Sequence, residues 1–422
     1  MNRLLTVLFF LFTFQLHPQQ VQEEKRSYFV FTPEIMVGYT AESNEFFPDR
    51  NLQTQLQLNF GWDHSYNPQE WARRLKGPKT GISLGYTDFG NKDSLGGTFT
   101  LMPFIEFDIF RSKRLRSLVG MGGSYFTKIY DEIDNPRNQA VSTDLTWSFR
   151  AFMHYDLLRT ENIDWRVGLG YFHHSNGHTR LPNQGYNSFL LSVSADVNSN
   201  EPKESPEIKE PSEFQRRVND YVSFYGSYGL NVLSLAYNDK RAVYTVSGEY
   251  GKVLNGMFRV GIGFYYRYYE HYFDYINDEE FLVRDGEEFE EFTDNPWWYA
   301  SNLGIHANGE FTLNHIGFNV QLGVNLHKPA YDIDWRINQG WDNTPREIPP
   351  NFMLGEFDSK YRLKKTLASR MGLKYYVFDT SKEPVNNIYF GIHINANGGQ
   401  ADFTDISLGY VYNFNYQERN KS

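Results

Sequence analysis

The chain has 422 residues, enough for two domains of ordinary size or for one large barrel. Aromatic residues make up 17% of it, and the formal net charge of −10 disfavours a general nucleic-acid-binding role, which needs a basic surface. The mean hydropathy of −0.57 argues against helical membrane spans, and the lack of cysteine excludes disulfides, thiolate nucleophiles and Cys-ligated metals.

The first residues have the features of a secretory signal peptide. Arg3 supplies a positive charge, and the apolar run Leu4–Phe14 that follows is too short to cross a membrane. No small-residue cleavage pattern marks the boundary, which we place near residue 20. We therefore expect residues 1–20 to be a signal peptide, with a buried N-terminal strand as the alternative.

Beyond this segment, alternation with period two replaces helical periodicity almost throughout. From Leu52 to Phe60, the Leu and Phe residues fall on one face and the Gln and Asn residues on the other. This apolar-out, polar-in pattern is typical of the wall of a membrane barrel. Eight such strands are predicted before residue 200, over 28–39, 52–64, 80–88, 97–110, 117–127, 144–157, 164–174 and 187–197.

The composition changes at residues 198–213, which contain three Pro and many charges but no aromatic residue. Such a segment indicates a solvated linker, which we place at 198–215. The acidic stretch Asn277–Asp294 further on is predicted to be an exposed loop. The second half then carries eight more predicted strands, over 221–236, 241–253, 257–272, 298–313, 316–327, 361–378, 387–397 and 405–416.

These patterns predict an all-β protein made of two tandem eight-stranded antiparallel transmembrane β-barrels, at residues 25–197 and 216–422. Residues 162–173 and 387–393 resemble each other, and each stretch is followed by an Asn/Gly-rich turn and a closing strand, which indicates a weak internal repeat. One larger barrel and a soluble β-fold remain as alternatives.

One polar run, from Gly170 to Ser188, is the best candidate for chemistry. His173 and Ser175 are two residues apart near the end of a strand, so they project from the same face, while His174 points to the other. A Ser beside a His that takes its proton is the minimal activated nucleophile. The amide of Asn176, or backbone N–H groups near Gly177, would stabilise an oxyanion.

Asn187 begins the following strand, close enough to reach His173 and fix its tautomer. The residues alone leave two other interpretations open. One is a solvated polar loop without chemistry. The other is a metal site formed by His173, His174 and His178, which the lack of a nearby carboxylate disfavours.

The segment resembles the lipid A 3-O-deacylase family (PagL-like, also described as acyloxyacyl hydrolases). The resemblance rests on His-x-Ser-Asn followed by a Pro-Asn-x-Gly turn, and it covers roughly residues 28–197. Further matching features are Pro33-Glu34 with Gly38, Phe47-Pro48, the run from Tyr86 to Asn91, Leu95-Gly96, and Asn135-Pro136 with Asn138 and Ala140.

The resemblance implies an outer-membrane serine esterase that removes an ester-linked 3-hydroxyacyl chain from lipid A without a cofactor or metal. Its implied partners are lipid A, or lipopolysaccharide, and the membrane. By position, Ser175 would be the nucleophile, His173 the base and Asn176 part of the oxyanion hole. Asn187 departs from the family pattern, because the family has a Glu there.

Two competing functions follow from this departure and from the barrel itself. The first is a structural or transport barrel without chemistry, and the second is a barrel that binds lipopolysaccharide but has lost catalysis. The second half is predicted to be non-catalytic, because Asn395 follows His393 where a Ser would be needed.

Overall fold

The structure is a computed structural model, and it describes residues 27–109, 114–160, 163–197, 214, 216–338 and 358–419. The predicted signal peptide lies outside the described residues, as does the predicted linker apart from Phe214.

The first half folds into a closed barrel of eight antiparallel strands, each paired with its neighbours in the sequence and β8 paired with β1. The strands are β1 (Tyr28–Thr40), β2 (Gln53–Asp63), β3 (Lys79–Asp88), β4 (Gly97–Asp108), β5 (Leu115–Phe126), β6 (Leu145–Arg159), β7 (Ile163–Ser175) and β8 (Tyr186–Val197).

The second half forms another closed barrel with the same up-and-down order, and β16 pairs with β9. The strands are β9 (Arg216–Asn231), β10 (Arg241–Leu254), β11 (Phe258–Tyr269), β12 (Ser301–Leu313), β13 (Ile316–His327), β14 (Leu367–Tyr376), β15 (Asn386–Asn397) and β16 (Gln400–Arg419). The prediction of two tandem eight-stranded barrels is thereby confirmed.

Short helices lie in the connections between strands. They are α1 (Glu70–Arg74), α2 (Glu270–Asn277), α3 (Pro296–Tyr299), α4 (Tyr331–Asn338) and α5 (Asp358–Thr366), with 3₁₀ turns at Phe281–Val283, Glu290–Asp294 and Thr380–Lys382. No helix in the described residues is long and apolar enough to cross a membrane.

Two predictions about the second half were wrong. Residues 361–366, predicted as the start of a strand, belong to α5, and the strand begins only at Leu367. The acidic stretch Asn277–Asp294 is not simply an exposed loop, because Val283, Phe289 and Phe292 are buried in a core with α2. Buried apolar side chains, spaced irregularly among the acidic ones, anchor this connection to the barrel.

The two faces of the wall differ as the alternation predicts. Apolar side chains such as Ile35, Leu191 and Ile262 are exposed on the outside, whereas Gln55, Gln57 and other polar groups are buried inside. A lipid-facing barrel requires this distribution of apolar residues outside and polar residues inside, which is the reverse of that in a soluble protein.

Ion pairs fill the inside of the first barrel. Glu34 accepts from Arg150 Nη2 at 2.7 Å and contacts His154 Nε2 at 2.8 Å, and Arg166 Nη1 donates to Glu106 Oε1 at 2.9 Å. Because buried charges are tolerated only when they are paired, these side chains pack the interior as a polar core.

The barrels contact each other near both ends. We call the end that carries residues 127–144, 176–185 and 270–300 the long-loop end, and the opposite end, which carries α1 and the turn at 255–257, the short-turn end. The candidate chemical segment lies at the long-loop end, where the second barrel packs against it.

Candidate active site

The side chains of β7 alternate between the inside and the outside of the first barrel. His174 points inward, where Nδ1 lies 3.0 Å from Ser148 Oγ and the ring packs edge-on against Phe126. His173 and Ser175 therefore share the opposite, outward face. The geometry agrees with the parity expected from the sequence.

His173 is oriented by the neighbouring strand. It lies directly opposite Asn187 in the pairing of β7 with β8, and its Nδ1 is 2.9 Å from Asn187 Oδ1. An amide oxygen only accepts, so Nδ1 carries the proton and Nε2 is left free to accept one. Tyr171, whose ring stacks with that of His173, also donates its hydroxyl to Asn187 Oδ1.

Ser175 is held by the turn that follows it. Asn183 Nδ2 donates to Ser175 Oγ at 2.9 Å, and the Gly177 N–H donates to the same oxygen at 3.2 Å. Among the described residues, no hydrogen bond joins Ser175 to His173. Catalytic hydrogen bonds are often long or absent before substrate binds, so this resting geometry is compatible with a Ser–His pair.

Asn176 occupies a different place from the one expected of an oxyanion donor. Its Nδ2 donates to the Arg180 carbonyl at 2.7 Å and to Ser142 Oγ at 3.2 Å, and its N–H donates to Asn183 Oδ1 at 2.9 Å. With these donors engaged, Asn176 shapes the loop, and the Gly177 N–H is the backbone donor that reaches Ser175 Oγ.

Loops of the first barrel form hydrogen bonds with the end of the turn that follows Ser175. Gly185 N–H donates to the Ala140 carbonyl at 2.8 Å, and Tyr186 OH donates to Asn138 Oδ1 at 2.8 Å. Asn135 and Asn138 both donate to the Ser94 carbonyl. The Asn and Ala positions noted in the sequence thus tie the connections at the long-loop end to one another.

The second barrel also contacts the turn that follows Ser175. The side chain of Asn238 pairs with the backbone of Leu181, accepting from its N–H at 2.8 Å and donating to its carbonyl at 2.7 Å. Trp147, which lies opposite Ser175 on β6, donates from Nε1 to Thr404 Oγ1 at 3.0 Å.

Gly177 and His178 both have φ of +66°, a left-handed conformation that disfavours most side chains. A Cβ added at Gly177 would lie 2.1 Å from Thr404 Oγ1. His178 is buried against the second barrel, and burial lowers the pKa of its imidazole even though Asp334 and Asp402 lie nearby. The neutral form is therefore favoured there.

Three supporting residues were not predicted as members of the site, namely Asn183, Tyr171 and Trp147. Asn183 lies in the Pro-Asn-x-Gly turn, a pattern that predicts a turn but not a contact with Ser175. Tyr171 shares the outward parity of His173, and that spacing was sufficient to find it. Nothing in the sequence places Trp147 opposite Ser175, because the register between β6 and β7 is set by the tertiary structure.

The described residues of the second barrel present no equivalent pair on its seventh strand. His393 and Asn395 lie on β15, the seventh strand of that barrel, but both point inward and both are 0% exposed. Asn395 Oδ1 accepts from Arg267 at 3.1 Å. The interpretation that Asn395 stands at the position of Ser175 is therefore wrong, because the two strands are out of phase by one residue.

Two family models match the chain. The model described as lipid A 3-O-deacylase (PagL) matches residues 57–196, and the one described as the C-terminal domain of acyloxyacyl hydrolase matches residues 220–337. The chain belongs to the PagL family. Family membership supports a hydrolase located in the outer membrane, and each barrel matches one of the two family models.

Solved structures similar to this PagL-family chain are outer-membrane or designed barrels. The crystal structure of the outer membrane enzyme PagL is 18% identical, covering 39% of this chain and 97% of that one, with a TM-score of 0.28. A de novo designed transmembrane β-barrel is 12% identical, covering 40% and 95%, with a TM-score of 0.21. OprB of Pseudomonas putida is 12% identical, covering 92% and 94%, with a TM-score of 0.17. No curated protein matches the chain.

Proposed function

We propose that the protein is a serine esterase that removes an ester-linked 3-hydroxyacyl chain from lipid A in the outer leaflet. The observation that carries the proposal is the arrangement on the outer face of β7. There His173 Nδ1 is fixed at 2.9 Å from Asn187, and Ser175 Oγ lies 3.2 Å from the Gly177 N–H.

The outward direction of these side chains suits a lipid substrate. An acyl chain of lipid A lies within the bilayer, so its ester would reach this face of the wall without extraction of the lipid. Ser175 itself is only 4% exposed before substrate binds. Tyr171 and Trp147 flank the pair on neighbouring outward positions. Such aromatic side chains are favoured where a lipid headgroup meets its hydrocarbon.

The reaction has two steps. Ser175 Oγ attacks the ester carbonyl while His173 Nε2 takes its proton, and the oxyanion forms near the Gly177 N–H. His173 then gives this proton to the departing sugar oxygen, which leaves an acyl-Ser175 ester. Water, deprotonated by His173, attacks that ester, and Ser175 regains its proton as the hydroxy fatty acid is released.

The test is the mass profile of lipid A incubated with the purified protein in detergent. We expect the wild-type protein to shorten lipid A by one hydroxyacyl group. Ser175→Ala removes the nucleophile and should lower the rate at least about a thousandfold. A fluorophosphonate probe should label the wild-type protein and spare Ser175→Ala.

Ser247→Ala is the matched control, because Ser247 is a buried serine of the second barrel whose hydroxyl donates only to the Phe264 carbonyl, at 2.7 Å. It should keep full activity. Full activity in Ser175→Ala would refute the mechanism. Unchanged lipid A with folded wild-type protein would refute the esterase itself.

A second candidate, a barrel that binds lipid A without turnover, is favoured by one observation. The side chain that orients His173 is the neutral Asn187, which cannot stabilise an imidazolium by charge. Binding of lipid A by both the wild-type protein and Ser175→Ala, with no product from either, would support this candidate.

A further inference from the structure

An apolar groove of about 900 Å³ separates the two barrels toward the short-turn end. Outward-facing side chains of both barrels line it, including Ile82, Ile105, Val119, Phe258, Ile316 and Leu373. Ile82 remains 48% exposed and Ile316 50%, so the two walls face each other across the gap without closing it.

The groove has a floor, formed by α1. Trp71 of α1 is buried in a cluster with Met257, and Phe311 and Leu313 of the second barrel pack against the same cluster. These contacts join the barrels below the gap. The groove is therefore closed toward the short-turn end and is bounded by lipid-facing strands above it.

The floor carries positive charge. Arg74 and Lys76 line it, and Lys76 is exposed and forms no ion pair within the described part of the chain. Arg74 shares the carboxylate of Glu70 with Arg217, at 2.6 Å each. Asp108, which also lines the groove, lies 3.4 Å from Arg116 Nε. Among the described residues that line the groove, Lys76 therefore supplies a positive charge that no carboxylate neutralises.

We propose that this groove binds one phospholipid with an anionic headgroup, its acyl chains between the barrels and its phosphate beside Arg74 and Lys76. A gap lined by hydrocarbon side chains at the depth of the membrane excludes water, and a lipid chain fills it without desolvating polar groups. Basic residues at the membrane surface attract anionic headgroups.

The lipid is distinct from the proposed substrate. Ser175 lies at the long-loop end and the floor of the groove at the other, so the bound phospholipid belongs to the opposite leaflet. The proposed phospholipid site does not depend on the esterase activity, and its test needs no measurement of that activity.

The test is native mass spectrometry of delipidated protein to which phosphatidylglycerol or phosphatidylcholine with identical chains has been added. We expect one phosphatidylglycerol molecule to survive activation that strips the remaining lipid. Ile82→Trp together with Ile316→Trp fills the groove and should remove this lipid. Ile35→Trp is the matched control, because Ile35 is a lipid-facing residue of β1 outside the groove.

Lys76→Gln tests the headgroup separately. It should reduce the preference for phosphatidylglycerol over phosphatidylcholine about fivefold, as expected for one basic residue near a membrane surface. Far-UV circular dichroism checks that each variant is folded. Equal retention by the folded groove-filling variant and Ile35→Trp would overturn the proposal. Displacement of the bound phosphatidylglycerol by inorganic phosphate alone would also overturn it, because the acyl chains would then contribute nothing to binding.

Discussion

The side chain that orients His173 is an amide, and this sets a limit on the proposed chemistry. Asn187 Oδ1 accepts from His173 and from the Tyr171 hydroxyl, so the imidazole is held in the tautomer a general base needs. What Asn187 lacks is the negative charge that would stabilise the imidazolium formed when Ser175 loses its proton. Asn187 therefore orients the imidazole of His173 but does not stabilise its positive charge.

Replacing Asn187 by Glu should therefore increase the rate. The reverse change, from acid to amide, lowers kcat about 10⁴-fold in a serine protease triad, and we expect Asn187→Glu to raise deacylation about a hundredfold or more. The measurement is the initial rate of fatty acid release from lipid A. Asn187→Gln, equal in length but uncharged, is the control, and a Glu variant no faster than the Gln variant would contradict the argument.

Among the elements, the turn between β7 and β8 depends on contacts from both barrels. Gly177 and His178 hold left-handed backbone conformations, which persist only when surrounding contacts fix them. On one side Gly185 bonds to Ala140 of the first barrel, and on the other Asn238 of the second barrel pairs with Leu181. The turn that presents the Gly177 N–H is thus clamped between the two barrels.

Loss of the Asn238 clamp should slow turnover without abolishing substrate binding. Asn238→Ala removes two hydrogen bonds, each worth about 1 kcal/mol, and we expect kcat to fall about tenfold with little change in KM. Asn238→Asp keeps the acceptor for the Leu181 N–H but loses the donor, so its kcat should be intermediate.

Asn325→Ala provides the control for this series. Asn325 is also a half-buried residue of the second barrel, but its partners, Tyr265 and the Lys365 carbonyl, belong to that barrel. It should leave kcat unchanged. A wild-type kcat in Asn238→Ala would show that the second barrel does not position the turn.

At the scale of the whole molecule, the two barrels are joined by contacts at both ends. Trp71 packs into the second barrel at the short-turn end, while Asn238 and Thr404 contact the first barrel at the long-loop end. Glu70 and Arg217 add an ion pair of 2.6 Å between the barrels. The chain connection is therefore not the sole link between them.

A protease site introduced within residues 198–213 tests this association. After cleavage, we expect the tagged first barrel to retain the second on an affinity column in mild detergent. Adding Trp71→Ala and Asn238→Ala, which remove a contact at each end, should release it. Complete separation of the cleaved wild-type barrels would show that these contacts do not hold the molecule together.

Period-two alternation determined the strands, because a wall with lipid on one side and a polar core on the other imposes it locally. Fifteen of the sixteen predicted strands thus start within five residues of the observed strands. The exception is the strand predicted at 361–378, because residues 361–366 lie in a helix. The short-range parity of His173, His174 and Ser175 was equally predictable.

Only the tertiary structure decided which groups meet across the barrel or between the barrels. The bond from Asn183 to Ser175, the engagement of Asn176 within its own loop and the inward direction of His393 depend on turn geometry and strand phase. The clamp of Asn238 on Leu181 joins residues 57 apart in the sequence. Local patterns specify faces and periods, but long-range contacts are chosen by packing, which no single segment encodes.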